Sequence, residues 1–326
     1  MVPGSIWVVN YAQAISAASL SDHRGIITTN PLCLRRLPGF VSGHKHSAGP
    51  MIEWNDYPLT GTGGPGQAAL KVYPEVLSPQ LRNYRDILVA LPSGYEDGGH
   101  RHPVIYLQDG QNLFDPATSY AGEWGLAATL SAMAPEPVQP ILVGIPNIGR
   151  RRRYEYSPFR DIIHGGGGGD RYLAFVVETV KPLVDASFRT RPERPNTVIA
   201  GSSLGGLISL YGLFRYADIF GAAGVQSPAL WFADGAVLRF VEENGALAVG
   251  RVHLDVGTEE GDDALHDVRA LKALLVDAGH REGRDLSYIE EAGADHDEEA
   301  WGRRFAAALP FLLGNQGARE PGSPGD

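Results

Sequence analysis

The chain is poor in cysteine, in long apolar runs and in positive charge, and each shortage closes off a class of function. Cys33 is the single cysteine in 326 residues. No intramolecular disulfide can form, and no zinc site can be built on thiolates. No apolar run approaches the roughly 18 residues of a membrane span. The opening stretch, MVPGSIWVVNYAQAISAASL, carries no Lys or Arg and is interrupted by Asn10, Tyr11 and Gln13, which argues against a cleaved leader. A cytoplasmic location is therefore expected over a secreted one. Lys and Arg number 28 against 38 Asp and Glu, a formal net charge of −10. That balance argues against nucleic acid and against an anionic membrane surface, because both recruit excess Lys and Arg.

What is present is an alternation of strand and helix signals. Residues 68–74, 85–92, 103–108, 139–146, 196–201, 221–227, 250–257 and 286–293 read as strands. Residues 125–133, 170–188, 204–216, 262–279 and 297–313 read as helices. This order predicts an α/β fold with a mostly parallel sheet, an antiparallel start, and helices on both faces. Residues 1–64 show no sustained period and are expected to be an irregular extension and linker. Met51 offers a second possible start within it. The catalytic domain is expected over 65–313 and a disordered tail over 314–326. The run HGGGGGD (164–170) reads as a flexible hinge. No metal or cofactor is expected: His44 with His46, and His100 with His102, lack an evident third ligand.

One stretch carries chemistry. VIAGSSLGGLISLYG (198–212) turns a strand signal into a helix signal around G-S-S-L-G, with Ser203 at the centre. A serine on such a turn needs small neighbours two residues either side, here Gly201 and Gly205. The helix start then aims N–H groups at the site, and Leu204 is the expected donor of one oxyanion contact. Glycines that merely let a strand and helix pack closely are the structural alternative. A serine hydroxyl needs a base that is itself oriented by an acid. Downstream lie His253, His266, His280 and His296. His253 falls inside a strand, His266 inside a helix and His280 at a helix end. His296, on a loop between a strand and the last helix, is the expected base. The acid is sought after the preceding strand, among Asp255, Glu259, Glu260, Asp262 and Asp263. Glu260 is preferred, because Asp255 comes too early and the two later aspartates read as helix-start acids. YLQDGQNLFD (106–115) is the expected second oxyanion loop, with the Gln111 N–H as donor. Asp109, Trp124 and Trp231 are the expected substrate contacts. Arg150–Arg153 read either as a solvated loop paired with acids such as Glu155 or as a carboxylate clamp.

PVIYLQDGQNLFD, GIPNIGRRRRYEYSPF, FRTRPERPNTVIAGSSLGGLISLYG, QSPALWF, DVGTEEGDD and GADHDEEAW together resemble the putative esterase family of the α/β-hydrolases. Enterochelin esterases, feruloyl esterases and S-formylglutathione hydrolases belong to that family. The resemblance covers about residues 68–313. It implies an α/β-hydrolase fold and an acyl-serine mechanism on a small-molecule ester, with Ser203 as nucleophile, Glu260 as acid and His296 as base. The oxyanion loop reads Gly110-Gln111-Asn112-Leu113, where S-formylglutathione hydrolases carry Gly-Leu-Thr-Cys. Two other functions fit the same residues: acyl transfer to an alcohol other than water, and a binding protein that keeps the fold without turnover.

Overall fold

Short apolar runs that are buried along their whole length set the architecture. The computed structural model describes residues 53–57, 68–133, 139–244 and 250–314. The expected tail, most of the expected extension and the histidines at 44 and 46 lie outside these residues. In chain order the strands are β1 (Asn55–Asp56), β2 (Ala69–Ser78), β3 (Asn83–Leu91), β4 (Val104–Gln108), β5 (Ile141–Ile145), β6 (Arg160–Asp161), β7 (Gly165–Gly166), β8 (Thr197–Ser202), β9 (Ala222–Gln226), β10 (Arg251–Gly257) and β11 (Leu286–Glu291). Nine of them form one sheet in the order β1-β2-β3-β5-β4-β8-β9-β10-β11. Pairings from β5 through β4, β8, β9 and β10 to β11 are parallel, and those among β1, β2, β3 and β5 are antiparallel. Every residue of β4, β5, β8 and β9 is buried. A strand covered on both faces needs apolar side chains at every position, so its sequence runs apolar without alternating.

Two helical layers supply the covers. The helices are α1 (Leu126–Ala132), α2 (Arg152–Glu155), α3 (Gly169–Phe175), α4 (Lys181–Ser187), α5 (Leu204–Arg215), α6 (Phe232–Asn244), α7 (Asp262–Asp277) and α8 (Glu298–Leu312). A π-helical stretch, Val176–Val180, joins α3 to α4. Successive strand residues point to opposite faces. Tyr106, Val143 and Ile199 therefore join one core with Leu173, Leu207, Val237 and Leu271. Ile105, Leu107, Leu142 and Val198 join the other with Leu126, Leu130, Phe305 and Leu309. This is the α/β-hydrolase arrangement that the sequence predicts.

Three local features differ from the expectation. First, β1 pairs with β2 through Asn55↔Val72 and Asp56↔Lys71. Trp54 packs edge-on against Tyr73 and Phe188, at 5.4 and 4.9 Å between ring centroids. Asn55 and Asp56, expected in the irregular extension, thus extend the sheet, and Trp54 and Tyr57 beside them pack against its core. Second, the glycine run is not an open hinge. Gly165 and Gly166 pair with Arg160 and Asp161 as a small hairpin. A Cβ at Gly166 would lie 2.3 Å from the Phe159 carbonyl oxygen, and one at Gly168 would lie 2.4 Å from the Tyr154 ring. Close packing selects these glycines. Third, α6 has no counterpart among the expected helices. Ala233, Asp234 and Gly235 all take left-handed backbone angles at its start, which hides the helical period there.

The edge strand yields a prediction. A chain beginning at Met51 is expected to melt with the full chain. One beginning at Ala68 loses β1 and the Trp54 contacts, and should melt lower by several degrees, at about 2–4 °C per kcal/mol for a domain of this size. Thermal unfolding of the two shortened chains checks this.

Candidate active site

The C-terminal ends of β8, β9, β10 and β11 stand side by side, and Ser203, Glu260 and His296 follow β8, β10 and β11. Ser203 comes immediately after β8 and before α5, with φ 57° and ψ −122°. A non-glycine residue in that region is strained and must be held by its surroundings. Its N–H donates to the Gln226 carbonyl at 2.9 Å, and its own carbonyl accepts from Ala229 at 3.0 Å and Leu207 at 3.0 Å. A Cβ at Gly201 would sit 2.7 Å from Gln108 Cγ, and one at Gly206 would sit 2.9 Å from the Gln226 carbonyl oxygen. Gly205 is nearly as tight, with Gln108 Cβ at 3.0 Å. Small residues on either side of the serine are thus a steric requirement. Ser203 is half-buried, whereas its neighbour Ser202 is buried in β8. Leu204 is the first residue of α5, so its N–H has no acceptor within the helix.

Glu260, after β10, accepts four hydrogen bonds. Ser227 Oγ donates to Oε1 at 2.6 Å, the Gly257 N–H at 2.6 Å, and Arg304 Nη2 more loosely at 3.4 Å. The other oxygen, Oε2, lies 2.7 Å from His296 Nδ1. Burial alone would raise the Glu260 pKa, but the bonds from His296, Ser227 and Gly257 outweigh it and hold the carboxyl below the usual range. The imidazole of His296 remains 42% exposed while the Glu260 side chain is 2% exposed. Trp301 stands edge-on to the imidazole at 4.8 Å, and its Nε1 donates to Ser227 Oγ at 3.0 Å. Of the other expected acids, Asp255 is fully buried and engaged by Arg304 Nε at 2.9 Å and His253 Nε2 at 3.0 Å. Asp262 and Asp263 form the first turn of α7. Glu259 is exposed.

The loop expected to supply the second oxyanion donor is braced from below. Asp109 has a left-handed backbone (φ 54°) and leads into a 3-10 turn over Gly110–Asn112. A Cβ at Gly110 would meet the backbone of Gly144 and Ile145 at 2.5 and 2.6 Å, so the turn lies directly on β5. Gln111 is held by its own polar atoms: Oε1 accepts from the Asn147 N–H at 3.1 Å, and its carbonyl accepts from Thr118 Oγ1 at 2.8 Å. Asn112 Nδ2 donates to Glu298 Oε1 at 3.3 Å, tying the loop to α8. Burial, reinforced by the charges of Asp297 and Asp109, raises the Glu298 pKa.

The expected substrate contacts are redistributed. The Asp109 carboxylate is taken by a two-pronged Arg152 contact, Nε to Oδ1 at 2.9 Å and Nη2 to Oδ2 at 2.7 Å, and by Asn147 Nδ2 at 2.6 Å. With these partners it braces the loop and has little left for a ligand. Trp124 is 6% exposed and packs on Trp301 and Phe305, so it belongs to the core. Trp231 is 56% exposed and stands edge-on to His164. Within the arginine run, Arg152 pairs with Asp109, while Glu155 turns to Arg85 at 2.9 Å, a pair that is fully buried. Arg304, Ser227 and Glu298 were not reached by the sequence reasoning. They lie in helix and turn contexts whose residue types are unremarkable, and only packing brings them to Glu260 and the loop.

Comparisons with known proteins give the family. The profile of the Esterase family, described as "Putative esterase", matches residues 78–312. The chain belongs to this family. It is a carboxylic ester hydrolase. Its relatives include the siderophore triacetylfusarinine C esterase of Aspergillus fumigatus, 31% identical over 161 residues that make up 47% of this chain and 53% of that protein. A protein of Bacillus subtilis named YbbA is 27% identical over 254 residues, covering 73% and 96%. Among solved structures, the siderophore hydrolase EstA of Aspergillus nidulans superposes with a TM-score of 0.61 at 20% identity, covering 81% of this chain and 99% of that one. At that identity the likeness speaks to the fold.

A pH prediction follows from Glu260. Its folded pKa lies below the unfolded value near 4.3, so it stabilises the fold above that pH and loses this contribution as pH falls through the folded value. Glu260→Gln should flatten the fall of stability below about pH 4.5, read by chemical unfolding across pH 3–7. An unchanged pH dependence would contradict the assignment of its ionised, multiply bonded state.

Proposed function

We propose that the ester is cleaved through a covalent acyl-enzyme on Ser203, with His296 as base and Glu260 as the acid that orients it. The supporting observation is the strained turn at Ser203 (φ 57°, ψ −122°) after β8, in the same sheet as β10, one strand away across β9, whose following loop carries the Glu260–His296 contact of 2.7 Å. Ser203 and Glu260 are linked through adjacent residues: the Ser203 N–H bonds to Gln226, and Ser227 bonds to Glu260.

In this mechanism the imidazole takes the proton of the Ser203 hydroxyl as Oγ attacks the ester carbonyl carbon. The negative oxygen of the tetrahedral species accepts from the N–H groups of Leu204 and Gln111. Two such donors, fixed before reaction, are each worth about 3–4 kcal/mol in the transition state. The imidazolium is stabilised by Glu260 at Nδ1 and returns its proton to the leaving alcohol from the other nitrogen. Water then enters, gives a proton to the same nitrogen and attacks the acyl carbon; as the tetrahedral species collapses to the free acid, the imidazolium returns that proton to Ser203 Oγ and the enzyme is regenerated. Three donors on one Glu260 oxygen leave the second oriented to the imidazole, so this acid costs no reorganisation during the reaction. The 42% exposure of His296 gives the accepting water access to the base.

The substrate class is open to a direct panel. The relatives named as siderophore esterases and the feruloyl esterase relative nominate hydroxamate and catecholate siderophore esters and hydroxycinnamate esters, beside short p-nitrophenyl esters. A fluorophosphonate probe is expected to label Ser203, with the adduct mapped by peptide mass spectrometry. Ser203→Ala should lower kcat by at least about 10³, and Glu260→Gln by about 10² to 10⁴. Labelling at Ser202, or a Ser203→Ala variant of full activity, would refute the reading.

A further inference from the structure

A cleft of about 510 Å³ lies at the opposite edge of the sheet from the serine turn. Gly221 and Gly250, which line it, immediately precede β9 and β10, whereas Ser227 and Glu260 follow the other ends of the same strands. The seven residues of β10 separate the two places by about 20 Å at the usual rise per residue. The remaining walls are Arg194, Arg251, Arg284, His280, Asp285 and the backbone of Ala278, Gly279 and Gly314.

The charges in this cleft are not balanced by its own acids. Asp285 is the one carboxylate in the lining; its Oδ1 accepts from the Arg281 N–H, and its Oδ2 lies 3.7 Å from Arg284 Nε. Arg194 and Arg251 have no carboxylate partner among the described residues. Arg194 donates from Nε to the Ala217 carbonyl, and Arg251 from Nη2 to the Leu312 carbonyl at 2.9 Å and the Pro195 carbonyl at 3.3 Å. Burial, and then the charge of Arg194, lower the Arg251 pKa, so the two cations face each other at a cost. A guanidinium has five N–H donors, and carbonyls use only some of them. Arg194 Nη2 and Arg251 Nε have no partner among the described residues. His280, another wall of the cleft, is 6% exposed, and its Nε2 also lacks a partner among them.

Of these carbonyls, Ala217 and Leu312 lie at or near the ends of α5 and α8, where partial negative charge collects. Those bonds explain part of the basic character. They do not explain a buried imidazole with an unused nitrogen. An oxyanion meets all of these at once, because it offers several acceptors and compensates the like charges.

We propose that this cleft binds a small oxyanion of phosphate or carboxylate type, held by Arg194 and Arg251 with His280 and Arg284 completing the site. This inference does not depend on the assignment of Ser203. Bound anion stabilises the folded chain by mass action. The test titrates the full chain with inorganic phosphate, with succinate in parallel, against chloride at equal ionic strength, following thermal unfolding and binding heat. Expected is a saturable rise in Tm with one site per chain, weakened about ten-fold or more in Arg194→Gln and in His280→Asn, with hydrolysis of p-nitrophenyl acetate unchanged. Tighter phosphate than succinate assigns the phosphoryl class, and the reverse assigns the carboxylate class. Arg251→Gln also removes a bond to the end of α8, so Arg194→Gln and Arg284→Gln carry the test. Equal Tm in both anions and chloride, or full affinity in Arg194→Gln, would overturn the proposal.

Discussion

The site is organised around one carboxylate whose two oxygens are used differently. Glu260 Oε1 is held by Ser227, the Gly257 N–H and Arg304, and Oε2 meets His296. Arg304, 3% exposed, also bonds Asp255 through Nε and Glu291 through Nη1. One buried cation therefore serves three carboxylates from β10, the loop after it, and β11. Removing it would leave uncompensated buried charge, which is far more costly than losing a surface pair. Those same contacts fix where α8 sits, and α8 in turn carries Trp301 against the His296 ring and Glu298 against Asn112. Strands β10 and β11, the last helix and the loop at Gly110–Asn112 thus share a single polar frame.

Much of the fold was legible because its strands are buried on both faces. Such strands read as uninterrupted apolar runs, and the parallel crossovers leave room for helices with an ordinary amphipathic period. The expected strands at 103–108, 139–146, 196–201 and 250–257 match β4, β5, β8 and β10 to within two residues at each end. What escaped had a physical disguise. β1 is two residues of Asn and Asp, with no apolar content to announce it. α6 begins with three left-handed residues. The glycine run looks like a linker until the neighbours that exclude a Cβ at Gly166, Gly168 and Gly169 are seen, such as Phe159 and Tyr154.

The candidate site divides along similar lines. The serine turn was legible because its steric demand writes glycine at fixed spacing, and the structure supplies the clashes that explain Gly201 and Gly206. His296 and Glu260 could be sought by chain order and by their position after strands. Asp109 and Trp124 were expected at substrate, yet one faces Arg152 and the other faces Phe305. An acid or an indole in a loop has the same sequence appearance whether it turns outward or inward. The roles of Ser227 and Arg304 depend on contacts between residues 33 to 77 positions apart, which no local pattern records.

The central claim is that Ser203, His296 and Glu260 act as one unit. A double-mutant cycle tests it most directly: kcat for Ser203→Ala, Glu260→Gln and the double variant on one ester under one set of conditions. If the groups act together, the double variant is no slower than Ser203→Ala, because the carboxylate has nothing left to assist. Losses that multiply would mean that Glu260 contributes independently of Ser203, and the account of the site would be wrong.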